Sequence, residues 1–87
     1  MSITDKVPKI NKVIKQFFDQ NPSVDKIPAK DLMAEFIKAG VFIKDHRNGL
    51  PIRKVLRALD EENELDRIPF VIPERKTKNT FWYFARK

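Results

Sequence analysis

The 87-residue chain has no cysteine and one histidine, His46. Disulfides and thiolate metal sites are therefore excluded, and a single loop imidazole has no second soft ligand with which to share an ion. Glycine occurs only at 40 and 49, too sparsely for a glycine-rich phosphate loop. Serine occurs only at 2 and 23, neither beside a plausible base. No catalytic constellation can be assembled from this inventory, so an enzyme is not expected, nor a cofactor. No apolar run approaches the roughly 18–20 residues of a membrane span, and the start lacks the apolar core of a signal peptide. A cytoplasmic, non-membrane protein is expected.

What the chain does have is charge, unevenly placed. The net charge is +6. Residues 1–43 carry +2, residues 44–57 carry +4, residues 58–73 carry −4 and residues 74–87 carry +4. Two basic blocks flank one acidic block. Basic blocks that a fold brings together attract polyanions by Coulomb steering and counterion release. Hydrophobic residues make up 41%, enough for a core and too many for a disordered tail. The length implies one domain over residues 1–87, with residues 1–6 frayed.

The strongest periodic stretch is Leu50 to Leu65. Ile52, Val55, Leu56 and Leu59 fall at i, i+3, i+4 and i+7, one apolar helix face, and Pro51 suits the first turn. Arg53, Lys54 and Arg57 must then point elsewhere. Asp60, Glu61, Glu62 and Glu64 make the second half acidic. These carboxylates fan around the axis instead of converging on a metal, and they cannot lie against phosphate, so only the first half is a candidate contact.

An earlier helix is read from Asp5 to Gln20, regular from Val7. Ile10, Val13, Ile14, Phe17 and Phe18 form its stripe, and Asn21-Pro22 ends it. Residues 21–28 form a linker with two prolines, in which Val24 and Ile27 are short extended anchors. A second helix runs from Pro28 to Ala39. It buries Leu32, Met33, Phe36 and Ile37 and stops at Gly40. Val41, Phe42 and Ile43 are too apolar for an exposed loop and should fold back on the core. Lys44 to Gly49 is a turn, tightest at Asn48-Gly49. After the third helix comes a hairpin. Its first arm, Ile68 to Ile72, is an edge strand because of Pro69 and Pro73. Its second arm is Phe81-Trp82-Tyr83-Phe84. The tip, Glu74 to Thr80, is polar and basic. Phe81 and Tyr83 should share one side of the strand, and Trp82 and Phe84 the other. Both sides are read as partly buried; solvent exposure of Trp82 or Tyr83 would instead favour stacking of RNA bases.

Three helices followed by a basic-tipped hairpin resemble a winged-helix domain over about Val7 to Arg86. The fold class is therefore α+β, a three-helix helix-turn-helix core followed by a C-terminal β-hairpin wing. The resemblance lies in element order, lengths and charge placement. It implies double-stranded DNA as the partner, with helix three in the major groove and the wing on the backbone, as in a small transcriptional regulator or accessory factor. Ile52-Arg53-Lys54 and Arg57 would occupy the recognition-helix position, where an arginine can pair with a guanine edge. Arg75, Lys76 and Lys78 would occupy the wing tip, with Thr77 and Asn79 adding neutral hydrogen bonds. Lys44, His46 and Arg47, just ahead of helix three, complete the expected contact set. The Gly40–Gly49 connection is longer than in a compact helix-turn-helix. The winged-helix pattern often has a strand here that joins the wing sheet, and Val41 to Ile43 offers it. The alternative reading is a protein-interaction module on the same scaffold, with a protein partner or a second copy in place of DNA.

Overall fold

The computed structural model describes residues 5–45 and 49–86. Its elements run α1 (Val7–Gln20), β1 (Lys26–Pro28), a 3₁₀ turn (Ala29–Leu32) leading into α2 (Met33–Lys38), α3 (Leu50–Glu61), β2 (Val71–Arg75) and β3 (Thr80–Ala85). The architecture is α+β: three helices and one antiparallel sheet in the order β1-β3-β2.

The helices form where apolar spacing demands them. α1 buries Val7, Ile10, Val13, Ile14 and Phe18, and α3 buries Ile52, Val55, Leu56 and Leu59. Ile10, Ile14, Leu56 and Phe84 are sealed from solvent, each worth roughly 1.5–3 kcal/mol of transfer energy. Phe84 joins sheet to helices, meeting Phe36 edge-on at 6.2 Å. α2 and α3 end alike. The Gly40 N–H donates to the Ile37 carbonyl and the Val41 N–H to the Phe36 carbonyl. After α3, the Asn63 N–H donates to the Asp60 carbonyl and the Glu64 N–H to the Leu59 carbonyl. Gly40 and Asn63 take positive φ, 78° and 58°, as this C-terminal motif requires. Asn63 thus stops α3 at Glu61, short of the expected end at Leu65.

Four further expectations are corrected. The third strand is Lys26–Pro28, not Val41 to Ile43: it pairs with β3 as Lys26–Ala85, Ile27–Phe84 and Pro28–Tyr83. Val41 is buried as expected, but Ile43 is 95% exposed. The first arm of the hairpin begins at Val71, not Ile68, and runs to Arg75. Lys6 is anchored, since its ammonium donates to the Val41 carbonyl at 2.8 Å and lies 5.2 Å from the Phe42 ring. β2 is an edge strand, which leaves room for Pro73.

Gly49 fixes where α3 begins. Its φ is 92°, and a Cβ there would fall 2.5 Å from Lys30 Cβ and 2.8 Å from Lys30 Cα. The start of α3 is therefore pressed onto the turn that follows β1. The Gly49 N–H donates to Asp45 Oδ1 at 2.7 Å. Gly40 also has positive φ, but nothing lies within 4 Å of its missing Cβ. Gly40→Ala should therefore cost about 1–2 kcal/mol, the left-handed penalty alone. Gly49→Ala should cost about 1–3 kcal/mol more, because overpacking adds to that penalty. Urea melts of the two variants test the difference; equal losses would mean that the Lys30 contact yields freely.

Candidate nucleic-acid interface

On α3, Arg53, Arg57 and Asp60 stand at i, i+4 and i+7, one stripe of the helix. The first two line a cleft of about 560 Å³. Opposite them are Asn79, Thr80, Phe81, Trp82 and Tyr83, and the end is closed by Pro28, Ala29 and Lys30. Three cations line this hollow, and no carboxylate does among the described residues. A smaller hollow of about 320 Å³ between α1 and α2 is lined by both Glu35 and Lys38 and has no such bias.

The cleft exists because β1 is short. The Lys76 N–H donates to the Asn79 carbonyl and the Ala85 N–H to the Phe70 carbonyl. Antiparallel bonding alternates, so these two bonds set its phase. Residues 79, 81, 83 and 85 face β2, while Thr80, Trp82 and Phe84 direct their backbone groups away from it. β1 accompanies β3 only as far as the Pro28–Tyr83 pair. Beyond that the chain turns into the 3₁₀ segment, and the start of β3 borders the cleft opposite α3.

Asp60, the third residue of the stripe, receives both terminal nitrogens of Arg75, at 2.7 and 3.0 Å. The hydrogen bonds from Arg75 lower the Asp60 pKa below the ordinary aspartate value, partial burial opposes this, and the guanidinium charge adds to the lowering. Next along the hairpin, Lys76 lies 2.9 Å from Glu74, and its hydrogen bond lowers the Glu74 pKa. Two of the three expected wing cations, Arg75 and Lys76, are thus held by carboxylates, which the sequence reading did not foresee. Arg75 ties the hairpin to α3 as a strut.

The expected contacts therefore divide. Arg53, Arg57 and Asn79 meet in the cleft. Arg75 and Lys76 are ion-paired beside it. Thr77 and Lys78 are exposed at the hairpin tip, and Lys44 and Lys54 are exposed away from the cleft. His46 and Arg47 lie outside the described residues. The sequence reading missed Lys30, which the Gly49 contact brings to α3, and it missed the cleft-lining roles of Phe81 and Trp82. Trp82 and Phe84 are buried, as an inward-facing pair should be, while Phe81 is 50% exposed. Tyr83 is half-buried, with the Lys26 ammonium 4.4 Å from its ring. Arg86 donates to the Asn21 and Val24 carbonyls, both at 2.8 Å. No helix among the described residues is long and apolar enough to cross a membrane.

The Asp60–Arg75 pair makes a signed prediction. A carboxyl whose folded pKa is lowered adds stability that is complete above its unfolded value, about 3.9, and lost as pH falls through the folded value. Asp60→Asn should therefore be less stable than the parent at pH 7, with the gap closing below about pH 4. Urea midpoints at about pH 7, 5 and 2.5 measure it; a gap of constant size would show that the ion pair contributes nothing. Comparison of the chain with protein-family models, curated proteins and solved structures finds no match.

Proposed function

We propose that the chain is a winged-helix module that binds double-stranded DNA, a binding protein and not an enzyme. α3 serves as the recognition helix and the β2–β3 hairpin as the wing. The element order supports this, with a strand ahead of α2 completing the sheet beside the hairpin. The observation that carries the reading is the cleft where Lys30, Arg53 and Arg57 gather without a carboxylate among the described residues. Like charges around one hollow repel, and a polyanion relieves that repulsion. The acidic half of α3 does not oppose the reading at Asp60, whose charge is taken up by Arg75.

A protein-interaction role is the second reading. It is favoured by Ile72 and Phe81, 41% and 50% exposed, on the outer face of the sheet. Ile72 stands directly opposite Tyr83 in the ladder, and Phe81 is two residues along the same face.

Fluorescence anisotropy of a labelled duplex at two salt concentrations separates the two. Three or four phosphate contacts imply an affinity about 40- to 150-fold weaker at 200 mM than at 50 mM salt. Binding that ignores salt, or no binding to any duplex, rejects the DNA reading. Self-association in place of DNA binding, abolished by Phe81→Ser, would establish the second.

A further inference from the structure

Resting on the duplex reading above, we infer that the cleft seats a backbone phosphodiester, so that Arg53 and Arg57 hold phosphate and do not read base edges. Three observations carry this. First, the shape is wrong for base reading. A base edge is reached by a side chain projecting from a convex helix into a groove. Arg53 and Arg57 instead look across a concave cleft toward β3. A ridge of sugar and phosphate fits such a hollow.

Second, the lining is one-sided in chemistry. Of the residues lining it, Lys30, Arg53 and Arg57 have side chains that only donate, and Asn79 adds an amide that can donate as well as accept. Arginine forks match phosphate oxygens geometrically.

Third, the cleft wall contains a polar group that the protein does not satisfy. Trp82 is 5% exposed, and its indole Nε1 is buried with no hydrogen-bond partner among the described residues. Buried N–H groups without an acceptor are uncommon in folded proteins. Indole nitrogen only donates, so the missing partner is an oxygen acceptor. That nitrogen is sealed in the structure, so a phosphodiester drawn in by Lys30, Arg53 and Arg57 supplies one when the ring turns toward the cleft that Trp82 lines. Trp82 then anchors the core with its ring and completes the site with its N–H. Base selection on α3 passes to Lys54, about a quarter turn round the helix from Arg53 and exposed.

Trp82 is the only tryptophan in the chain, so one indole cross-peak in a proton–nitrogen NMR spectrum reports on this group alone. Three probes are titrated into the ¹⁵N-labelled protein: two unrelated 14-base-pair duplexes, and diethyl phosphate as a bare phosphodiester. The indole peak should move saturably with either duplex, and with diethyl phosphate at millimolar concentration. Arg57→Gln, at an exposed position, should move both titrations to higher ligand concentration; Lys12→Ala on α1 serves as a charge control and should leave them. Arg53→Gln and Arg57→Gln should each weaken both duplexes equally. Each should also make the fall between 50 and 200 mM salt about threefold smaller, one phosphate contact fewer. Duplex binding with an unmoved indole peak, or losses confined to one of the two duplexes, overturns the inference and leaves the duplex reading standing. A peak that moves with diethyl phosphate while neither duplex binds rejects the duplex reading and keeps the phosphodiester site. No response to any probe overturns both.

Discussion

The close approach of Gly49 to Lys30 decides the placement of everything functional in this chain. A side chain at position 49 would hold α3 off the turn that follows β1. With none, the first turn of α3 settles against that turn, and Arg53 comes to rest beside Lys30 at the end of β3. The cleft is thus a consequence of backbone contact before it is a matter of charge. Asp45 supports the same corner by accepting from the Gly49 N–H, so the connection between α2 and α3 is bound where the geometry is tightest.

Charge is then distributed along one helical stripe with opposite uses at its two ends. Arg53 and Arg57 open onto the cleft, while Asp60, one turn further, grips Arg75 of the hairpin. An isolated surface pair contributes little to stability, with a median of about 0–1 kcal/mol. Geometry gives this one more consequence than its energy does. Both oxygens of Asp60 are engaged by a planar fork, so the contact fixes direction as well as distance. The acidic block that separates two basic blocks in sequence therefore has a mechanical role in the fold. It sets the hairpin against the helix beside the cleft that Arg53 and Arg57 line.

Local pattern made much of this legible, and long-range pairing concealed the rest. The i, i+3, i+4 spacing of α1 and α3 is written in consecutive residues, so both helices and most of their buried faces follow from sequence. The inward pair Trp82 and Phe84 follows from the two-residue period of a strand. β1 does not. Its residues, Lys26 to Pro28, are too few to show a period, and their extended form is stabilised by partners at the far end of the chain, Tyr83 to Ala85. The apolar residues at 41–43 looked more strand-like, but a helix-ending hydrogen bond claims Val41 first. The cleft was half visible. Arg53, Arg57 and Asn79 belonged to segments already suspected, whereas Lys30 joins them only through an approach that glycine permits. Arg75 looked like a wing contact because its carboxylate partner, Asp60, lies on the preceding helix, across a turn whose direction depends on Asn63.

Size gives the unsatisfied indole its weight. An 87-residue domain has little surplus stability, and an N–H buried without an acceptor consumes part of it. Other buried polar atoms also lack a hydrogen bond, Asn11 Oδ1 among them, but among the described residues only the indole nitrogen of Trp82 does so on a side chain that is buried as a whole. A phenylalanine in place of Trp82 would fill much of the same space with no N–H to satisfy, and it would suit a strand equally well. A tryptophan that lines a cationic hollow while its nitrogen goes without an acceptor is therefore better explained by what enters the hollow than by packing. The same reasoning covers the three cations that line the hollow, Lys30, Arg53 and Arg57, a gathering of like charge that an anion offsets. Both costs fall when an anion with oxygen acceptors is present. Binding and folding are then linked, and the ligand stabilises the fold by mass action.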